Sequence, residues 1–189
     1  MRFAKGILEF VYETQGKDVD LEMFAEKLKS AVEQIDEACD HYKSAIEYGY
    51  NPDFNSRSIV GDDYSNPEEK FYGNNDVKGT YPVHGTHVAG IIAANRKNDI
   101  GMKGIADNVK IMAIRAVPNG DERDKDIANA ILYAVDNGAL VINMSFGKDY
   151  SPEKEVVDNA VRYAESKGVL LVHGAGNDND DNDTKPSYP

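Results

Sequence analysis

Cysteine is almost absent from this chain: Cys39 is the only one in 189 residues. No disulfide can form within the chain, and no cysteine-rich zinc site exists. That suits a reducing compartment, although secreted bacterial enzymes also do without disulfides. Positive charge is scarce too, with 21 Lys and Arg against 33 Asp and Glu and a net charge of −12. Phosphate would repel such a chain, which excludes nucleic acid and anionic membrane as expected partners. No apolar run is long enough to span a bilayer. The opening Met-Arg-Phe-Ala-Lys-Gly-Ile-Leu lacks the apolar core and small-residue cleavage site of a secretion signal. As it stands, the chain reads as soluble and unexported.

What is present suffices for a real hydrophobic core: 41% of residues are hydrophobic and 29% charged, as in ordinary globular domains. The chain divides into an acidic helical segment, residues 1–50, and an α/β domain, residues 51–189. In the first part a helix is expected over about 18–48. Asp20 is a plausible N-cap, supported by Glu22. Leu21, Phe24, Leu28, Ala31, Ile35, Ala38, Tyr42 and Ala45 fall three and four apart and form a narrow apolar stripe. Gly49 and Asn51-Pro52 end it. The stripe suits packing on its own domain or a coiled-coil seam, and spacing alone does not separate the two.

The stretch from Asn51 to Gly79 is rich in Asn, Asp, Gly and Pro, with Arg57-Ser58-Ile59-Val60 its one strand candidate. Val83–Asn95 reads as an apolar helix of small residues and Val109–Val117 as a strand. Asp126–Asn137 is an amphipathic helix closed by Gly138. Ala139–Met144 is a nearly continuous apolar strand. Ser151-Pro152 opens a helix running to Lys167 and stopped by Gly168, and Val169–Val172 is a further strand. Strands alternating with helices predict parallel pairing with right-handed crossovers, hence an open, mostly parallel sheet with helices on both faces.

The segment richest in chemistry is His84-Gly85-Thr86-His87-Val88-Ala89-Gly90. Its small residues would let the helix lie close against a sheet and hold the first imidazole at a cleft edge. An imidazole titrates near neutrality, so it can take a proton from a nucleophile and return it. The block closely resembles the histidine motif of subtilisin-like serine peptidases. Two further blocks agree in order and spacing. Val141-Ile142-Asn143-Met144-Ser145-Phe146-Gly147 resembles that family's substrate-binding strand and the loop after it. Val172-His173-Gly174-Ala175-Gly176-Asn177 resembles its oxyanion segment. The resemblance covers roughly residues 57 to 189.

It implies a serine endopeptidase acting by acyl-enzyme chemistry on peptide or protein substrates, with no required cofactor. His84 would be the general base and His87 a packing residue one turn inward. Asn177 would donate its side-chain amide to the oxyanion. Ser145, Phe146 and Gly147 would line the primary specificity pocket and pair with substrate backbone, with Gly174 and Ala175 as the opposite wall. For the intact protein it implies a secreted or cell-envelope location.

Plainer readings stand beside these. His84 and His87 lie on one helical face and could form a metal pair, though no third ligand stands out. His84 could also be structural. Asn177 could cap a loop, and Ser145 could be taken for a nucleophile, though its block belongs to the substrate cleft in the resembling family. Asp178–Asp183, or Asn98 with the backbone near Ile100 and Met102, could bind calcium; the first lacks an EF-hand's glycine and terminal glutamate. The loop Pro118–Asp124 borders the expected cleft and is acidic, which predicts a preference for basic residues away from the scissile bond.

Two motifs of the resembling family are missing. No Asp is followed by Ser, and the one Asp-Thr, Asp183-Thr184, precedes Lys185. Gly-Thr occurs only at Gly79-Thr80 and Gly85-Thr86, followed by Tyr81 and His87. Without the triad's aspartate and serine these residues alone are expected to be inactive. The expectation is a fragment of a peptidase domain, with the acidic helix as an insertion within it and sheet edges left open. The alternatives are a non-catalytic descendant that binds peptides in the old cleft, and an unrelated α/β ligand-binding domain.

Overall fold

The computed structural model describes residues 21–79, 81–120 and 122–189. The chain forms two compact units, Met1–Asn51 and Pro52–Pro189. In the first, helix α1 runs over Leu21–Ser44 and continues as one wider π-helical stretch, Ala45–Gly49. The Tyr50 amide bonds the Ala45 carbonyl (2.7 Å), and the Asn51 side chain bonds the Glu47 carbonyl (3.1 Å), so the expected stop is tied back onto the last turn. The apolar stripe is used unevenly: Ala31 and Ala45 are buried, whereas Leu28, Ile35 and Tyr42 are exposed. The proposed N-cap, Asp20, lies outside the described residues.

In the second unit, Arg57–Val60 is a helical turn, α2, and not the strand expected from its β-branched pair. Local hydrogen bonds decide it. Asn55 Oδ1 accepts the Arg57 amide (3.0 Å), the Ser58 hydroxyl bonds the Asn55 carbonyl (2.8 Å), and Gly61 closes the turn at φ +83°. Helix α3 is Val83–Ala93, α4 is Asp124–Asp136 and α5 is Lys154–Ser166. Asp124 and Asp126 place negative charge in the first turn of α4, where the helix dipole favours it. Gly138 (φ +85°) and Gly168 (φ +72°) supply the left-handed residues that end α4 and α5.

Strands β1 (Val141–Met144) and β2 (Leu170–His173) pair in parallel, with Val141 opposite Leu170 and Met144 opposite His173. The parallel order is the expected one, but the sheet is smaller. Val109–Val117 forms no strand ladder among the described residues, and Val109, Ile111, Met112 and Ile114 are exposed. A strand needs a neighbour for its amides and carbonyls, and an apolar run alone does not supply one.

The core lies on one face of the sheet. Ile127, Ala128 and Ile131 of α4 and Val157, Ala160 and Ala164 of α5 pack together with Met144 and Val169, flanked by Ile142 and Leu171. On the other face Val141, Leu170 and Val172 are exposed. Helices on both faces were expected; among the described residues one face is covered. Helix α3 buries none of its residues, so its small face does not lie against a sheet here. It meets instead the chain at Gly104–Ala106, whose amides bond the carbonyls of Ala94, Ile91 and Ile92.

Candidate active site

The pairing of β1 with β2 brings together two of the expected segments. Past the strand ends, the Gly174 amide bonds the Met144 carbonyl (3.0 Å), continuing the ladder by one step. A Cβ on Gly174 would stand 3.8 Å from that carbonyl oxygen, and 4.0 Å from the Phe146 oxygen and from the Ser145 Cα. Ser145–Gly147 and Gly174–Ala175 therefore leave adjacent strands side by side. The Ser145 hydroxyl accepts a hydrogen bond from the Asn143 side chain (2.9 Å). Phe146 meets the ring of His173 edge-on, with centroids 6.2 Å apart.

Gly147 is closely surrounded. A Cβ there would be 3.1 Å from Ser187 Oγ, 3.4 Å from the Tyr188 carbonyl oxygen and 3.5 Å from His173 Nε2. That nitrogen is buried and has no hydrogen-bond partner among the described residues. On the far side Asn182 bonds the Ala175 carbonyl (3.0 Å) and folds the acidic loop back on the segment.

His84 stands exposed in the first turn of α3, and no hydrogen bond or ion pair engages its imidazole among the described residues. His87 is exposed as well and does not pack inward as expected. Asn177 is exposed just beyond Gly176, its amide equally unengaged. No group of three carboxylate, imidazole or thiol ligands gathers among the described residues. Asn98 Oδ1 already accepts the Ile100 amide (3.2 Å), and Asp180 is paired with Lys185 (2.7 Å).

Sequence reading missed the residue that ties this region together. Lys148, directly after Gly147, is buried with its ammonium on Asp124 Oδ1 (2.5 Å) and the Glu122 carbonyl (2.8 Å). Asp124 also accepts from the Ser151 hydroxyl (2.8 Å) and the Glu153 amide (2.7 Å). Burial works against the Asp124 charge, but these donors outweigh it and hold the carboxyl below the usual range. Glu122 and Asp124 are thus turned inward, so of the acids expected to meet basic substrate residues two are withdrawn. A buried lysine has no hydropathy signature; only its place beside the Ser-Phe-Gly turn could have drawn attention.

A second polar cluster anchors the chain before α3. Arg57 bonds Asp62 (2.6 Å) and both Asp126 oxygens (2.8 and 3.0 Å), and Lys125 bonds Asp62 (2.7 Å), the Asp63 carbonyl (2.6 Å) and Glu69 (3.3 Å). The Tyr72 hydroxyl donates to Asp126 (2.7 Å) and accepts from Asn129 (2.9 Å). Burial at Arg57 is outweighed by its bonds to Asp126 and Asp62, and its guanidinium is held all the more firmly charged. Three successive side chains of α4, Asp124, Lys125 and Asp126, thereby hold separate stretches of loop.

Comparison with known proteins agrees with these motifs. The profile of the subtilase family matches residues 29–189. The thermophilic serine proteinase of Bacillus sp. (strain AK1) is 39% identical over 145 residues, 76% of this chain and 34% of that protein. The major intracellular serine protease of Bacillus subtilis (strain 168) is 37% identical over 145 residues, 74% of this chain and 43% of that protein. Thermitase of Thermoactinomyces vulgaris is 41% identical over 107 residues, 56% of this chain and 37% of that protein. The chain thus spans well under half the length of these relatives. With the profile matching from within α1 to the last residue, and the histidine and oxyanion blocks inside the match, the chain belongs to the subtilase family.

Proposed function

We propose that these residues are the central part of a serine endopeptidase domain that hydrolyses peptide bonds through an acyl-enzyme, with the triad's aspartate and serine carried by polypeptide outside them. One observation carries the reading beyond family membership: Ser145–Gly147 and Gly174–Ala175 lie side by side at the ends of paired parallel strands. Such strand ends, with a glycine on each, suit an extended peptide laid alongside. In this reading Ser145, Phe146 and Gly147 line one wall of the specificity pocket, and Gly174 and Ala175 the other. His84 takes the proton of the serine hydroxyl as it attacks the scissile carbonyl and returns it to the leaving amine. Its exposed, unengaged imidazole is free to do so once a cleft forms over it. Asn177 donates its side-chain amide to the oxyanion, a contribution of about 3–4 kcal/mol in subtilisin-type sites. No cofactor is needed for these steps. We place the intact protein outside the cytoplasm or in the cell envelope on resemblance alone; among the described residues no helix is long and apolar enough to cross a membrane.

The test begins with the source DNA on both sides of these codons, followed by expression of the whole reading frame. In-frame Asp-Ser/Thr-Gly upstream and Gly-Thr-Ser downstream, casein hydrolysis by the product, and its loss in His84→Ala are the expected results. The 189 residues alone are expected to leave casein intact. A whole-frame product that binds casein peptides but never cleaves them would replace this reading with that of a non-catalytic peptide binder.

A further inference from the structure

Lys148 joins its own stretch of chain to two others at once. Through its backbone it exchanges two hydrogen bonds with Tyr188, amide to carbonyl in both directions at 3.0 Å. Through its ammonium it grips the Glu122 carbonyl (2.8 Å) and Asp124 at the start of α4 (2.5 Å). Its own neighbour, Gly147, belongs to the wall assigned to the specificity pocket and lies close to Ser187, whose Oγ would be 3.1 Å from a Cβ there. The residue is 8% exposed, and the Asp124 side chain 1%, so the pair works in a low-dielectric setting where it is stiff. Glu122 Oε1 is buried with no hydrogen-bond partner among the described residues. Among the described residues the anchor at Glu122 is its carbonyl on Lys148.

We propose that Lys148 is a positioning residue of the substrate cleft, holding the Ser145–Gly147 wall at a fixed separation from the Glu122 loop and the 187–189 segment so that a peptide is gripped along several residues. The inference rests on the peptidase reading above. Lys148 meets no reacting atom; it acts through the backbone of the segments it joins. A short substrate that fills only the pocket between the two walls is insensitive to that separation. A longer peptide reaching past Gly147 towards Glu122 loses affinity with any slack, because the cleft is no longer preorganised.

The experiment compares two probes on the full-length protein: a nine-residue peptide with a central Phe, and a blocked Phe ester as the short substrate. Lys148→Met keeps the aliphatic stem and the backbone bridge to Tyr188 but strands the Asp124 charge, so the single variant is expected to fold poorly. Lys148→Met with Asp124→Asn removes both charges. The introduced side-chain oxygen still accepts from the Glu153 amide at the Oδ2 position, and the new NH2 donates to the Ser151 hydroxyl oxygen, so the melting temperature is restored without restoring the tether. In that double variant the ratio of nonapeptide KM to ester KM is expected to rise about tenfold. A purely structural lysine would let the ratio return to the wild-type value along with the melting temperature, and that result overturns the inference. Wild-type protein that cleaves neither probe overturns the peptidase reading and this inference with it. Wild-type protein that cleaves both while the double variant keeps its KM ratio overturns the inference alone.

Discussion

Lys125 and Asp62, 63 residues apart in the chain, form a 2.7 Å ion pair in which both side chains are wholly buried. The lysine comes from the first turn of α4 and the aspartate from the loop that follows α2, so the pair fastens an irregular stretch to the helical core. Isolated charges could not be buried there. Here the ammonium has the Asp63 carbonyl and Glu69 as further acceptors, and Asp62 has the Arg57 guanidinium as a second donor. Lys125→Met should lower unfolding free energy by about 3 kcal/mol, read from urea denaturation, because Asp62 would keep only one partner. Lys125→Met combined with Asp62→Leu should recover much of that loss. Equal losses in single and double variants would show that the pair is not what anchors the loop.

Acid should loosen this unit through Asp124 and Asp62. Burial at Asp124 is outweighed by Lys148, Glu153 and Ser151, and at Asp62 the Arg57 hydrogen bond is the largest influence, so both folded carboxyls lie below their unfolded values. The stability they contribute is complete above the ordinary carboxylate pKa of about 3.9 and disappears as pH falls through the depressed folded values. Melting temperature against pH should therefore drop on the acid side of about pH 4, and Asp124→Asn should flatten that drop.

Two glycines near α3 should respond in opposite directions. A Cβ on Gly104 would stand 2.3 Å from the Ala94 nitrogen and 2.7 Å from the Ala93 carbonyl carbon, both backbone atoms that cannot swing away. Gly104→Ala should cost about 1–3 kcal/mol by overpacking. Gly90, inside the helix, has nothing within 4 Å of its ideal Cβ. Gly90→Ala should stabilise by about 1 kcal/mol through helix propensity. Thermal melts of the two variants decide both.

Ile131 is 2% exposed where α4 meets α5 and β1. Ile131→Ala should cost about 2–5 kcal/mol, since the methyl groups removed leave a cavity between two helices and a strand. A loss below about 1 kcal/mol would mean that the two helices close over the gap.

His84→Ala should separate stability from activity. The exposed side chain makes no bond among the described residues, so the melting temperature should change by no more than a surface substitution does, about 0.5 kcal/mol in free energy. Casein hydrolysis by the full-length protein should vanish. Retained hydrolysis would remove His84 from the chemistry.

Much of the second unit was legible in the sequence. The run Ala139–Met144, the glycines at 138 and 168, and the periodicity of the helices between them announced β1, α4, α5 and β2 and their parallel order, because these signals are local. The three motif blocks announced the family for the same reason: each is a contiguous stretch whose residue types are tied to one task. Other outcomes needed the folded chain. Arg57–Val60 carries β-branched residues yet coils, because Asn55, Ser58 and Gly61 offer nearby hydrogen bonds and a left-handed stop. Val109–Val117 has a strand's composition, but a ladder depends on a second stretch of backbone coming alongside.

The sequence by itself determined the order of the elements from α4 to β2, their parallel pairing and the family, through periodicity, glycine placement and motif chemistry within short windows. Only the tertiary structure decided which charges are buried. Asp124, Lys125 and Asp126 are consecutive charged residues of the kind that usually face solvent, yet Lys148, Asp62 and Arg57 each reach one of them from elsewhere in the chain. The physical reason is that burying a charge is favourable only against a partner with correct geometry, and partners distant in sequence meet only once the chain has folded.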